Sequence, residues 1–414
     1  MKFEFVDEKQ RYNAKIKVMG VGGAGGNAIN NMIASRLQGV NFIAANTDCQ
    51  DLDRSSCSHK IQLGPNITMG LGAGADPDLG EASAEESLQE IKESIDGADM
   101  VFITAGMGGG TGTGASPVIA RECKESGALT VAVVTKPFNF EGQKRMGRAD
   151  EGIVKLKEMV DSLIVIPNER LKTLGTKSTS FRDLMASADE VLLKAVKGIS
   201  DLIMSNGFIN LDFADIKRVM SEMGTAIMGM GNASGENRAA EAAQMAINSP
   251  LLEDISIMGA RGLLMNITGP SDITMEEIDE ASNYIINEVN SEAEILWGVV
   301  LDDSVQDEVQ ITVIATGIDE ETDSFDKRFR HVLSQEKSNV VNLRDITPEE
   351  AEQGWTVRTL EGECLDTPTF QRRGKALRTV EDDRRPQEQR KSFFSKFSLK
   401  ENLDVPTFLR AKAD

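Results

Sequence analysis

The residues best suited to chemistry are Gly106-Met-Gly-Gly-Gly-Thr-Gly-Thr-Gly114, six glycines and two hydroxyls in nine positions. Gly108, Gly109, Gly110 and Gly112 let backbone N–H groups close on an anion, and Thr111 and Thr113 add hydroxyl donors. The apolar run Asp99-Met-Val-Phe-Ile-Thr104 ahead of the loop reads as a buried strand. Ser116 and Pro117 behind it read as an N-cap and a first helical residue. Strand, glycine loop and helix start together make a phosphate cradle.

Two more glycine stretches share that character. One is Gly20-Val-Gly22-Gly23-Ala24-Gly25-Gly26-Asn27, and the other, Met69 to Pro77, holds Gly72-Ala73-Gly74. Gly20, Gly22 and Gly25 satisfy the dinucleotide fingerprint, with Asp48 near the place of a ribose-binding acid. Alone, that pattern points to a nicotinamide-dependent oxidoreductase. That reading leaves two glycine loops unexplained and finds no His or Lys in a recognisable proton-transfer role. Three loops converging on one edge suit a triphosphate held from several sides.

Two further pairs carry competing readings. Asp212 and Asp215 in Asn210-Leu-Asp-Phe-Ala-Asp215 fit a helix start, one carboxylate capping and the other in the first turn. Glu141 and Arg145 fit a helical i,i+4 ion pair worth less than about 0.5 kcal/mol.

These residues need elements to position them. Residues 15–19 and 41–45 read as strands around a helix bearing Ala28, Ile29, Met32, Ile33 and Leu37. A helix near 81–96, strands at 99–104, 129–135 and 161–168, and a helix from Pro117 stopped by Gly127 continue the alternation. The expected fold class is α/β: a doubly wound, mostly parallel sheet with ligands beyond the carboxyl ends of its strands. A long central helix spans 181–206, with Leu184, Met185, Ala188, Val191, Leu192, Ala195, Ile199 and Leu202 at helical spacing. From about 222 a second, smaller α/β domain is expected, with helices at 236–247 and 274–290 and strands at 255–268, 296–301 and 309–317. It contains no phosphate loop. The domains are then a flexible N-terminus at 1–12, a nucleotide domain at 13–180, the central helix, and the second domain at 207–318. A charged disordered linker follows at 319–400. The segment 401–414 contains Leu403-Asp-Val-Pro-Thr-Phe-Leu-Arg410, an apolar and basic peptide fit to order on a partner.

The chain has 414 residues, 40% of them hydrophobic, and a formal charge of −21. That field repels nucleic acid and anionic membranes, which sets both aside as direct partners of the folded part. Four scattered cysteines without a CxxC, and two histidines, argue against a zinc site or a disulfide scaffold. Charges in Met1-Lys-Phe-Glu-Phe-Val-Asp-Glu-Lys9 leave no apolar signal region, so a cytoplasmic location is expected.

The loop Gly106–Gly114 closely resembles the signature of tubulin-type GTPases. With Gly22–Asn27, Asn46-Thr47-Asp48, Asn210–Asp215 and the ending Leu403–Arg410, the chain resembles the bacterial cell-division GTPase family FtsZ over roughly 13–318 and 401–410. The resemblance implies GTP and GDP as ligands, with Mg²⁺ held mainly by the phosphates. Gly22 to Asn27 and Asp48 are then nucleotide contacts, and residues 70–75 lie near the γ-phosphate. Gly108, Gly109, Gly110, Thr111, Gly112 and Thr113 hold phosphates. Glu141 and Arg145 serve the ribose and phosphate side, Asn168 joins the nucleotide contacts, and Asp189 reads guanine through N1–H and the 2-amino group. Met185 stands where the family often has an aromatic residue on the base, and Glu190 where Asn or Asp is usual. The resemblance also assigns Asp212, Asp215 and Asn210 to a loop inserted into the next subunit's site, the carboxylates orienting the attacking water. It implies head-to-tail filaments that build the division ring at mid-cell, and recruitment of FtsA, ZipA and MinC by the C-terminal peptide.

Overall fold

The computed structural model describes residues 14–174, 180–204, 211–221, 225–252, 257–302 and 305–318. All belong to the first of two compact units, Met1–Val332. The expectations for residues 1–12, Asn210, the linker and the C-terminal peptide lie outside the described residues.

The first half runs β1 (Ile16–Val21), α1 (Gly22–Ala34), β2 (Val40–Asn46), α2 (Cys49–Arg54), β3 (His59–Gln62), α3 (Pro65–Thr68), α4 (Pro77–Glu86), α5 (Leu88–Ile95), β4 (Met100–Gly106), α6 (Thr111–Glu125), β5 (Leu129–Lys136), α7 (Gln143–Met159), β6 (Ser162–Pro167) and α8 (Asn168–Leu174). The second half runs α9 (Phe181–Met204), α10 (Phe213–Met220), β7 (Thr225–Ser234), α11 (Arg238–Ile247), β8 (Gly262–Gly269), α12 (Met275–Ile286), β9 (Glu294–Leu301) and β10 (Glu308–Ile318).

The strands form one ten-stranded sheet in the order β3-β2-β1-β4-β5-β6-β7-β10-β8-β9. The first six are parallel. Their order reverses between β1 and β4, the crevice where doubly wound sheets bind ligands. Burial on both faces explains the unbroken apolar runs. In β4, Met100 and Phe102 join a core with α1 and α9, while Val101, Ile103 and Ala105 join a second core with α5, α6 and α7. The expected stripe of α9 is that first core: Ala188, Val191, Leu192, Ala195, Ile199 and Leu202 are buried in it, whereas half-buried Met185 is not part of it. A third core gathers α11, α12 and β7 to β10.

The two halves meet through a short parallel pairing, Leu163↔Thr225 and Ile164↔Ala226. Beyond it β10 lies antiparallel between β7 and β8. Strand β7 is not expected from the sequence because its run, Thr-Ala-Ile-Met-Gly-Met-Gly-Asn-Ala-Ser, is broken by glycines that weaken a strand signal. Those glycines admit α11: a β-carbon on Gly229 lies 2.2 Å from the Ala246 carbonyl oxygen, and one on Gly231 lies 2.1 Å from that of Ala242. The strand expected at 255–268 starts only at Gly262, after a 3₁₀ turn at Ile257–Gly259. The helix expected at 81–96 is two helices, parted at Ser87, whose hydroxyl hydrogen-bonds the Gln62 carbonyl and the Gly64 N–H instead.

Candidate functional site

All three glycine stretches lie at the carboxyl edge of the parallel sheet, and most of their residue types follow from close approach. The cradle helix α6 begins at Thr111, so Ser116 is not its N-cap and Pro117 lies inside it. Ser116 instead donates its hydroxyl to the Gly112 carbonyl at 2.6 Å, a bond one turn back within the helix. Gly112 and Gly114 are required by packing. A β-carbon on Gly112 would stand 2.5 Å from the Gly106 oxygen, and one on Gly114 would stand 1.9 Å from the Pro77 oxygen. Gly109 differs from these neighbours. A β-carbon there meets nothing within 4 Å, so packing does not demand its glycine, and the half-buried residue borders open space. Gly26 and Gly74 are likewise unobstructed. At Gly26 and Gly109 the bare backbone suits the approach of a ligand rather than of another part of the chain, whereas Gly74 holds φ +57°, a left-handed conformation that favours glycine by itself. Gly127 does end the helix, at φ +84° one residue past the Ser126 cap. Helix α1 likewise starts at Gly22, so the second glycine stretch forms its first turns.

The stretches interlock. A β-carbon on Gly22 meets the Gly112 nitrogen at 3.1 Å, and one on Gly110 meets Ala73 Cβ at 2.8 Å. The Thr47 and Thr111 hydroxyls are hydrogen-bonded at 2.6 Å, and the Thr47 oxygen accepts from Gly72 N–H at 3.2 Å. Thr113 holds the Gly108 N–H at 2.8 Å. Thr47 thus joins two glycine stretches, a role not expected from the sequence. Its only sequence signal is its place at the end of β2, between Asn46 and Asp48. Asp48 Oδ1 caps α2 by accepting from Gln50 N–H at 2.8 Å, and its carboxylate faces Gly72. In loop 69–75, Met69 and Ala75 hold φ of +52° and +62°, strained conformations beside the cradle.

Farther along the edge, Arg145 pairs with Glu141 at 3.1 Å, and its backbone oxygen would sit 2.6 Å from a β-carbon on Gly108. Glu141 Oε1 accepts from Phe138 N–H at 2.8 Å. Asn168 starts α8, is buried, and its Oδ1 has no partner among the described residues. Buried polar atoms are nearly always paired, so this one is open to a ligand or a water, as are the Asn266 and Ser282 oxygens of the β7–β10 half. Asp189 is half-buried on α9, and burial pushes its carboxyl up to about 6. Glu190 instead pairs with Lys194 at 2.8 Å. The cradle therefore fits a nucleotide: glycine backbone where a side chain would collide, then an orphaned amide oxygen, then a carboxylate drawn partly out of water.

Asp212 and Asp215 are not brought there. Asp212 occupies the N-cap of α10 without a side-chain capping bond, and Asp215 lies 3.5 Å from Arg218. Helix α10 packs on β8 and β9. Five strand spacings separate β4 from β8, on the order of 24 Å. The capping alternative for Asp212 is thus not made, and its own chain's cradle is out of reach.

Residues 15–176 match the model of the Tubulin/FtsZ family, GTPase domain, and residues 224–319 that of the FtsZ family, C-terminal domain. The chain belongs to the FtsZ family. It is 48% identical over 385 residues to the cell division protein FtsZ of a Wolbachia species, covering 87% of this chain and 96% of that one. It is 52% identical over 334 residues to the FtsZ of Magnetospirillum gryphiswaldense, covering 81% of this chain and 58% of that one. Among solved structures, an empty FtsZ dimer from M. jannaschii superposes with a TM-score of 0.72 at 46% identity, over 75% of this chain and 90% of that one. The chain is thus a tubulin-like GTPase of the FtsZ cell-division family. Among the described residues no helix is long and apolar enough to cross a membrane.

Proposed function

We propose that this FtsZ-family chain hydrolyses GTP at a site finished by a second copy of itself. The first copy supplies the cradle: Gly22–Asn27, residues 70–75 and Gly108–Thr113 for the phosphates, Glu141 and Arg145 beside the ribose, Asn168 and Asp189 for guanine. The second copy supplies Asp212 and Asp215, with Asn210. One observation carries the reading. Two carboxylates, one without a capping bond and one only loosely paired, lie about five strands from the phosphate cradle of their own chain. Phosphoryl transfer asks for positioning and charge neutralisation, and a carboxylate that orients water at the open phosphate end supplies the first. Mg²⁺ held mainly by phosphate oxygens supplies the second.

A contact between unlike ends does not close, so it propagates a filament. GTP between subunits favours the contact and GDP weakens it. Such filaments form the division ring in the cytoplasm at mid-cell. The peptide around Leu403–Arg410 tethers them through partners such as FtsA, ZipA and MinC. The test is GTP turnover per molecule against protein concentration with Mg²⁺ present. A threshold concentration is expected. A specific rate that stays constant on dilution to isolated monomers overturns the shared site.

A further inference from the structure

A cavity of about 290 Å³ lies away from the guanine side of the site, on the other flank of α1 over the carboxyl ends of β1 and β2. Gly22, Gly23, Gly26 and Asn27 form the wall it shares with the nucleotide cradle, and α2 closes it with Asp51, Leu52 and Arg54. In sheets of this strand order, the nucleoside of a dinucleotide occupies that place, with its pyrophosphate on the helix N-terminus and an acid near the end of the second strand on the ribose hydroxyls.

The side chains suit that ligand better than they suit each other. Asp48, the acid the fingerprint singles out, is committed to capping α2. The free acid is Asp51, exposed, with Oδ2 3.1 Å from the position of a β-carbon on Gly23 and only a long 3.5 Å bond from Asn46. Arg54, one turn on, makes no ion pair among the described residues although Asp51 is three residues away. An unpaired guanidinium is free to lie on a purine face. Leu52, with Ala44 and Ala45, gives an apolar floor. The volume suits a nucleoside and is near the lower end for small-molecule sites.

We propose that this cavity takes the adenosine half of an adenine dinucleotide, ribose hydroxyls on Asp51 and purine against Arg54, with the pyrophosphate on Gly22–Gly23. Such a ligand shares the phosphate seat with GTP and excludes it, so the pool of dinucleotide sets how many subunits can load GTP.

The experiment titrates NAD⁺ into nucleotide-free full-length protein by calorimetry, and separately into protein loaded with a fluorescent GDP analogue. Binding and displacement are both expected. Asp51→Asn should weaken NAD⁺ about tenfold or more, the scale of a lost charge-assisted hydrogen bond, and leave GDP-analogue affinity within about twofold. Arg54→Ala, a surface change that leaves Asp51 in place, should weaken NAD⁺ in the same direction. No heat and no displacement overturns the proposal. So does displacement that neither variant alters, since NAD⁺ then enters by the guanine side. Loss of GDP-analogue binding in Asp189→Ala with NAD⁺ binding retained separates the two sites, and loss of both overturns the assignment. Threshold behaviour in GTP turnover is independent of every arm.

Discussion

Two regions of the sheet treat polar groups in opposite ways: the carboxyl edge of the parallel half and the Arg238 cluster of the β7–β10 half. In the parallel half, groups at the carboxyl edge are left wanting: Asn168 Oδ1 is unpaired among the described residues, Asp189 is ionised only against burial, and loop 69–75 is strained. In the β7–β10 half, the most buried charge is over-satisfied. Arg238, at the start of α11, binds Glu277 at 2.7 Å, Asp307 at 2.7 Å and Asp272 at 3.0 Å, tying together the segments that precede β10 and follow β8. Those carboxylates hold its guanidinium above the ordinary arginine range, with the Glu277 hydrogen bond first. The edge leaves interactions open for a ligand and the cluster uses them to hold its own shape, although Asn266 Oδ1 and Ser282 Oγ of that half are also unpaired among the described residues. Substitutions in the first should therefore change chemistry with little loss of stability, and substitutions in the second the reverse.

The largest expected effect falls outside that contrast: Asp212→Ala changes an exposed residue of the β7–β10 half that the proposed shared site enlists for chemistry. GTP turnover is expected to fall by about 10² to 10³, the scale of a lost transition-state-positioning group, with GTP affinity and melting temperature near wild type. Normal steady-state turnover refutes it. Next is Arg238→Ala, which leaves three carboxylates facing one another. It should cost about 1–3 kcal/mol, since only Glu277 is left largely buried while Asp272 and Asp307 face water, read by denaturant unfolding, while GTP affinity of the folded protein stays near wild type. A stability unchanged within error erases the contrast between the halves.

The pH dependence of GTP affinity comes third. In the proposed site guanine needs Asp189 ionised, and burial raises its carboxyl to about 6 in the free protein. Because the folded value lies above the unfolded one, stability contributed by the neutral acid is present at low pH and lost as pH rises through about 6. Guanine binding works the other way: affinity should fall as pH drops below about 6, approaching tenfold per unit. Asp189→Asn should flatten that profile, and a flat wild-type profile over roughly pH 5–7 removes Asp189 from the base. The smallest effect is Arg218→Ala, an exposed residue paired to Asp215 and Glu294. Less than about 1 kcal/mol is expected by thermal unfolding.

Much of this was legible in advance because clustered glycines mark places where backbone must come close to something. The signature loop, the alternating strands and the α9 stripe follow from local spacing, and all three are found. What each glycine approaches was not legible: Gly112 and Gly114 meet other backbone, whereas Gly109 meets open space. The helix starts were hidden as well. Ser116 and Pro117 carry the local marks of a helix start, but tertiary packing of Gly112 and Gly114 lets the helix begin at Thr111. Strand β7 stayed hidden for a related reason: its glycines answer to α11, a neighbour that local patterning does not reveal.

By itself, then, the sequence determined that a phosphate-binding, doubly wound α/β protein would form, because glycine placement and hydrophobic period act over a few residues. It could not determine which acid serves which site. Asp48, Asp51, Asp189 and Asp212 are chemically the same residue. Only the folded chain separates a cap, an open cavity wall, a half-buried carboxylate and an uncapping one about five strands from the cradle, because distance and burial arise from contacts far apart in the chain.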